Sequence, residues 1–171
     1  MSKVKFESSV LKQAVNGNKE AIIKMFQAFL GTEEQILDVR YFGSHGFLMN
    51  KTRSFVCLTD RRIATIQHGS FNRVCYQDAF IEGLNSGIIY QPSVFTLYLT
   101  SILLACTVIG ILLIPYWIQL FYTFNKSGMV WSIREGFSIY AFANISKINE
   151  VHSFSRHVAK VRTLRVQYLK K

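Results

Sequence analysis

Four histidines, three cysteines and two adjacent glutamates are the residues of this chain whose types could do chemistry, and their spacing argues against it. A zinc site needs ligands paired at short, regular intervals. Cys57, Cys75 and Cys106 are separated by 18 and 31 positions, and there is no CxxC. His45 and His68 are scattered, and His152 and His157 stand five apart, a poor match to the i, i+4 spacing of a helical metal pair. Glu33 and Glu34 adjoin, but neighbours on a chain do not form an acid/base pair without a cleft. No GxGxxG, GxxxxGK[ST] or HExxH occurs. Gly83-Leu-Asn-Ser-Gly87 has the wrong spacing for a GxSxG nucleophile elbow and reads as a turn. The expectation is a chain with no catalytic residue, no metal ligand and no cofactor, and not an enzyme.

Binding is better supplied. The stretch Gly43 to Arg53 places apolar Phe47, Leu48 and Met49 beside Lys51 and Arg53. A wedge flanked by cations suits a headgroup interface, although the three apolar residues could equally pack inward. At the other end of the chain Arg156, Lys160, Arg162, Arg165, Lys170 and Lys171 occur with no acid after Glu150. Each such cation near an anionic leaflet contributes about 1 kcal/mol; the plain alternative is a solvated helix face. The candidate lipid- or partner-binding set is therefore Phe47, Leu48, Met49, Lys51, Arg53, Arg162, Arg165, Lys170 and Lys171. Asp60-Arg61-Arg62 reads as a structural turn with exposed arginines.

The chain that must position these groups has 171 residues, one domain's worth. Apolar residues make up 50% and charged residues 18%, against about 25% charged in an average soluble domain. An aromatic content of 14% excludes disorder as the main state. Three cysteines, an odd number, argue against a disulfide-built scaffold. Twenty basic against ten acidic residues give +10, which suits an anionic partner.

No Asp, Glu, Lys or Arg occurs between Glu82 and Lys126. An uncharged apolar run of 18 or more residues reads as a membrane segment. The core of the run, residues 93–124, is too long for one straight crossing and too short for two full ones. A hairpin of two short arms, broken between Gly110 and Pro115, fits between these limits. Eleven Lys/Arg precede the run and nine follow it, so no bias separates the flanks, and both are expected on the cytoplasmic side. Tyr116 and Trp117 argue instead for a single span ending near residue 115.

Before the run, the pattern predicts a helix around Leu11–Val15 and a second one capped by Asn18 and stopped at Gly31. Strands follow at 35–42, 54–58, 63–67, 72–81 and 84–90, with a tight turn at 59–62. After the run, strands at 129–134 and 137–142 turn around Glu135-Gly136, and a long helix begins near Asn144. Two strands alone leave a sheet incomplete, so the flanks are expected to build one domain with the run looped out.

The stretch Ser54-Phe-Val-Cys-Leu-Thr-Asp-Arg-Arg-Ile63 resembles the LTDRR β-hairpin of bacterial pleckstrin-homology-like (PH-like) domains. Glu33-Glu34-Gln-Ile-Leu37 is similar to the acidic start of that family's first strand. The strand pair 129–142 with its long helix resembles the closing half. The resemblance implies an α+β fold: a PH-like antiparallel β-barrel or sandwich with N-terminal helices and a C-terminal helix, interrupted by a helical membrane hairpin. It also implies a lipid-facing role for the Gly43–Arg53 loop. The expected organisation is N-terminal helices at 1–31, the first part of the PH-like domain at 32–92, a membrane insert at 93–125, and the second part with its basic helix at 126–171. The expected function is a non-enzymatic integral membrane anchor, scaffold or accessory subunit. Its expected partners are the bilayer with its anionic headgroups and a larger membrane protein complex, with nucleic acid disfavoured. The alternative is a soluble or peripheral nucleic-acid binder using the basic C-terminus.

Overall fold

The computed structural model describes residues 5–31, 33–46, 51–91, 93–124, 127–134 and 136–169. Two antiparallel sheets and five α-helices make an α+β fold among these residues. Helices α1 (Ser8–Val15) and α2 (Lys19–Gln27) come first. The Asn18 side chain caps α2 by accepting from the Ala21 N–H at 3.2 Å, as its residue type predicts.

Strands β1 (Ile36–His45), β2 (Thr52–Thr59), β3 (Arg62–Gly69) and β4 (Val74–Phe80) form a four-stranded meander. Strands β5 (Leu84–Tyr90), β6 (Ser127–Ile133) and β7 (Ser138–Ala143) form a second sheet of three. The two sheets share a core without closing into a barrel, so the α+β class of the sequence expectation stands and the closed barrel does not. The expected strand at 72–81 starts late, because Ser70–Asn72 form a 3-10 turn.

Side chains alternate across the four-stranded sheet and divide two cores. On one face Phe55, Cys57, Ala64 and Ile66 pack against Ile22, Met25 and Phe26 of the N-terminal helices. On the other, Val56, Leu58 and Ile63 meet Trp131, Ile139 and Ala141 of the second sheet and Phe154 of helix α5 (Ile148–Leu169). Phe42 and Trp131 both set ring edges against Phe154, at 5.6 and 6.1 Å between centroids. The second core thus joins residues from before and after the uncharged run, and β5 pairs directly with β6 across it.

The run itself folds as α3 (Phe95–Ala105) and α4 (Val108–Phe124). The break falls at Cys106-Thr107, ahead of the expected Gly110–Pro115 site, and Pro115 lies inside α4. Thr107 makes the break: its hydroxyl accepts from the Gly110 N–H at 2.9 Å, an N-cap. Gly110 is required there, since a Cβ would collide with the Leu104 carbonyl across the turn. Trp117 ties the arms by donating from Nε1 to Thr100 Oγ1 at 2.8 Å.

Among the described residues no helix is long and apolar enough to cross a membrane. Arms of 11 and 17 residues reach about 16 and 25 Å, short of a hydrocarbon core of about 30 Å. This overturns the expectations of an integral membrane protein, of a transmembrane helix or hairpin, and of a membrane localisation with both flanks cytoplasmic. The physical reason is the Thr107 cap, which divides one long uncharged run into two short helices.

Candidate docking surfaces

The four described members of the expected binding set, Lys51, Arg53, Arg162 and Arg165, lie at two ends of the body. Phe47, Leu48, Met49, Lys170 and Lys171 lie outside the described residues. Lys51 is exposed and Arg53 half-buried, at the β1–β2 end of the first sheet, where Arg53 pairs in register with Ser44 and His68. Arg162 and Arg165 lie on α5, which starts near Phe42 and runs towards the opposite end. There Arg165 Nε donates to Glu82 Oε1 at 2.7 Å, beside the β4–β5 connection. Burial acts to raise the Glu82 carboxyl, but the Arg165 hydrogen bond and charge outweigh it and hold its pKa below the ordinary value. The eight residues of β2 separate the two groups by about 23 Å at roughly 3.3 Å per residue. Of the remaining cations on α5, Arg156 and Lys160 are exposed and one turn apart.

The Asp60-Arg61-Arg62 turn is structural, with one correction to its expected exposure. Arg61 is exposed, but Arg62 bridges Glu34 at 2.7 Å and Asp78 at 2.6 Å and lies over the Phe80 ring. The Thr59 hydroxyl accepts from the N–H groups of Arg61 and Arg62 at 3.1 and 2.8 Å. Asp60 accepts from the Gln35 N–H at 3.0 Å. Thr59, Asp60 and Arg62 therefore fix the turn and the strands around it, and the Arg61 side chain stays exposed.

Two further surfaces stand out, the first foreshadowed by the uncharged run and the second not. The first is the helical hairpin, which packs chiefly on itself. Phe95, Ile102, Leu103, Ile109, Leu112 and Tyr116 are all more than half exposed. With their neighbours they present on the order of 1,000 Å² of apolar surface, where a monomer rarely shows a patch above a few hundred. The hairpin leaves the body between Tyr90 and Gly128, which pair with each other, and Gly128 pairs with Phe142. The Phe142 ring lies tilted against His45 at 4.7 Å between centroids, so the hairpin root adjoins the end that carries Lys51 and Arg53.

The second is the β3–β4 turn at the same end. Phe71 is 83% exposed and takes φ +59°, followed by Asn72 at +56°. A bulky residue in the left-handed region is a true outlier and costs about 1–3 kcal/mol. Hydrogen bonds hold the turn: Gly69 N–H to Arg73 O at 2.7 Å, and Ser70 N–H to Lys51 O at 3.1 Å. The Gly69-Ser70 and Asn72 turn residues flanking a phenylalanine were the available sequence signal.

Among the described residues no group of His, Cys, Asp and Glu is placed to hold a metal ion. Cys57 is buried, and desolvation first, then the charges of Glu34 and Asp38, push its thiol up to about 12. It is an inert core residue rather than a nucleophile. No family model, curated protein or solved structure matches the chain.

Proposed function

We propose that this protein is a non-enzymatic docking module, an accessory or scaffold subunit whose helical hairpin inserts into an apolar groove of a partner protein. The carrying observation is the hairpin's uncharged, largely exposed apolar surface beside a body that has its own two cores. Its extent, on the order of 1,000 Å², is comparable with the roughly 800 Å² that a stable interface takes from each partner. Charge selects the occupant. Lys51, Arg53 and Arg73 stand at the hairpin end and form no ion pair among the described residues. A second copy would bring the same cations, and a net +10, against them. A partner with an acidic rim around an apolar groove satisfies both features. The body is proposed to be a PH-like variant, a class of mostly binding folds. The order of seven antiparallel strands followed by a helix across the core supports that reading.

A second reading, nucleic-acid binding through the C-terminal helix, is favoured by Arg156 and Lys160, exposed one turn apart on a helix with no acid after Glu150.

A photo-crosslinking side chain at Leu112 of the full chain, irradiated in native extract, tests the docking reading. The expected result is one protein adduct that is lost in Ile109→Asp and whose binding is reconstituted with the purified partner. Adducts to lipid alone, to a second copy, or to nothing overturn it.

A further inference from the structure

The β3–β4 turn forms one wall of an open cavity of about 650 Å³, lined by Lys5, Phe29, Phe71, Arg73 and Tyr76, with Asn72 and Val74 beside them. That volume lies within the range of small-molecule sites. Its chemistry is one-sided: two cations, three aromatic rings, an amide and, among the described residues, no acid. Phe29 and Tyr76 stack on each other at 4.4 Å and 5°, a rigid inner wall. The Tyr76 hydroxyl is out of solvent and has no hydrogen-bond partner among the described residues. Phe71 is its opposite, a ring presented to solvent by a strained backbone that hydrogen bonds within the turn and from Ser70 to Lys51 hold in place. Strain kept at an exposed aromatic serves no packing need and points to a ligand.

We propose that this cavity binds a nucleotide unit, the base stacked on Phe71 and the phosphate held by Lys5 and Arg73. A flat π-face and an anion are the two features that this lining recognises together, and every base has the former. The unit can be a free nucleotide or one residue of a single strand. The cavity is separate from the basic helix of the second reading: Arg156 and Lys160 do not line it.

The test uses the full chain, a fluorescein-labelled ten-nucleotide oligo-dT read by anisotropy, and unlabelled dTMP as competitor. The expected result is binding that weakens about tenfold or more in Phe71→Gly, since stacking dominates the loss. Glycine accepts the left-handed backbone, so this variant keeps its fold, checked by circular dichroism. Lys5→Gln and Arg73→Gln each weaken binding and flatten its salt dependence by about 0.7 in the log–log slope. Competition by dTMP assigns the site to free nucleotides, and its failure assigns it to strands; both support the cavity. Three outcomes overturn the proposal: no binding by the wild type, binding indifferent to all three substitutions, or binding lost only in Arg156→Gln and Lys160→Gln. So does Phe71-dependent binding of anionic vesicles without any nucleotide binding. None of these outcomes bears on the hairpin crosslink, so the two proposals fail separately.

Discussion

Replacing residues 91–126 with a four-residue Gly/Ser loop should leave a folded body. Tyr90 and Gly128 already pair as neighbours, so the short loop closes a β-hairpin between β5 and β6. Among the described residues no hairpin side chain belongs to either of the two cores, which draw on other elements. The loop between the paired residues falls from about 37 to about 5, and the closure term changes by about 2 kcal/mol in favour of the folded state. That figure is an upper bound, because the native connection is ordered rather than flexible. The assay is equilibrium urea unfolding. Removal of Trp117 leaves Trp131, buried in the second core, as the single tryptophan reporter. A full-length Trp117→Phe chain serves as the comparator. The expected result is one cooperative transition with a midpoint equal to or above the comparator's. Loss of that transition, or of the β signature in circular dichroism, would refute the reasoning and make the hairpin part of the folding core.

The remaining predictions are narrower. With a thiol reagent on the native chain, Cys75 and Cys106 should react and Cys57 should not, because Cys57 is buried with its thiol pushed up to about 12; three reactive thiols would contradict the buried placement. Arg62→Ala should cost about 1–3 kcal/mol in urea unfolding, since it strips Glu34 and Asp78 of a shared cation; an unchanged midpoint would show that the bridge is not formed. His68 is buried, and burial, then the Arg53 charge, lowers its pKa. The unfolded chain therefore takes the proton first, so stability should fall as the pH drops through about 6.5, and His68→Gln should flatten that fall; identical pH profiles for the two chains would remove His68 as the cause.

Much of the body was legible because its signals were local. Asn18 announced the cap of α2, alternation announced β1, and Thr59-Asp60-Arg61-Arg62 announced the turn that it forms. Thr52, Arg53, Gly69 and Ser127 were missed as strand residues because register, rather than alternation, recruits them at the ends. The uncharged run misled for a physical reason. Hydropathy reports what a segment avoids, and only the Thr107 cap and the close approach at Gly110 decide that it breaks into two arms too short to cross a bilayer. The candidate site was legible only in part. Lys51 and Arg53 could be named as loop cations, but their separation from Arg162 and Arg165 depends on strand direction. Phe71 and Tyr76 draw their meaning from a backbone angle and a cavity that no spacing rule encodes.

The central claim, that the hairpin docks into a partner protein, meets its most direct test in fractionation of native extract. Full-length and hairpin-replaced chains are followed through high-speed centrifugation and size-exclusion chromatography with light scattering. The full-length chain should stay in the supernatant within a complex well above its own 19.7 kDa, and the hairpin-replaced chain should elute as a monomer. A full-length chain that sediments with lipid and leaves it only in detergent, or that elutes at the same size as the hairpin-replaced chain, would contradict the account.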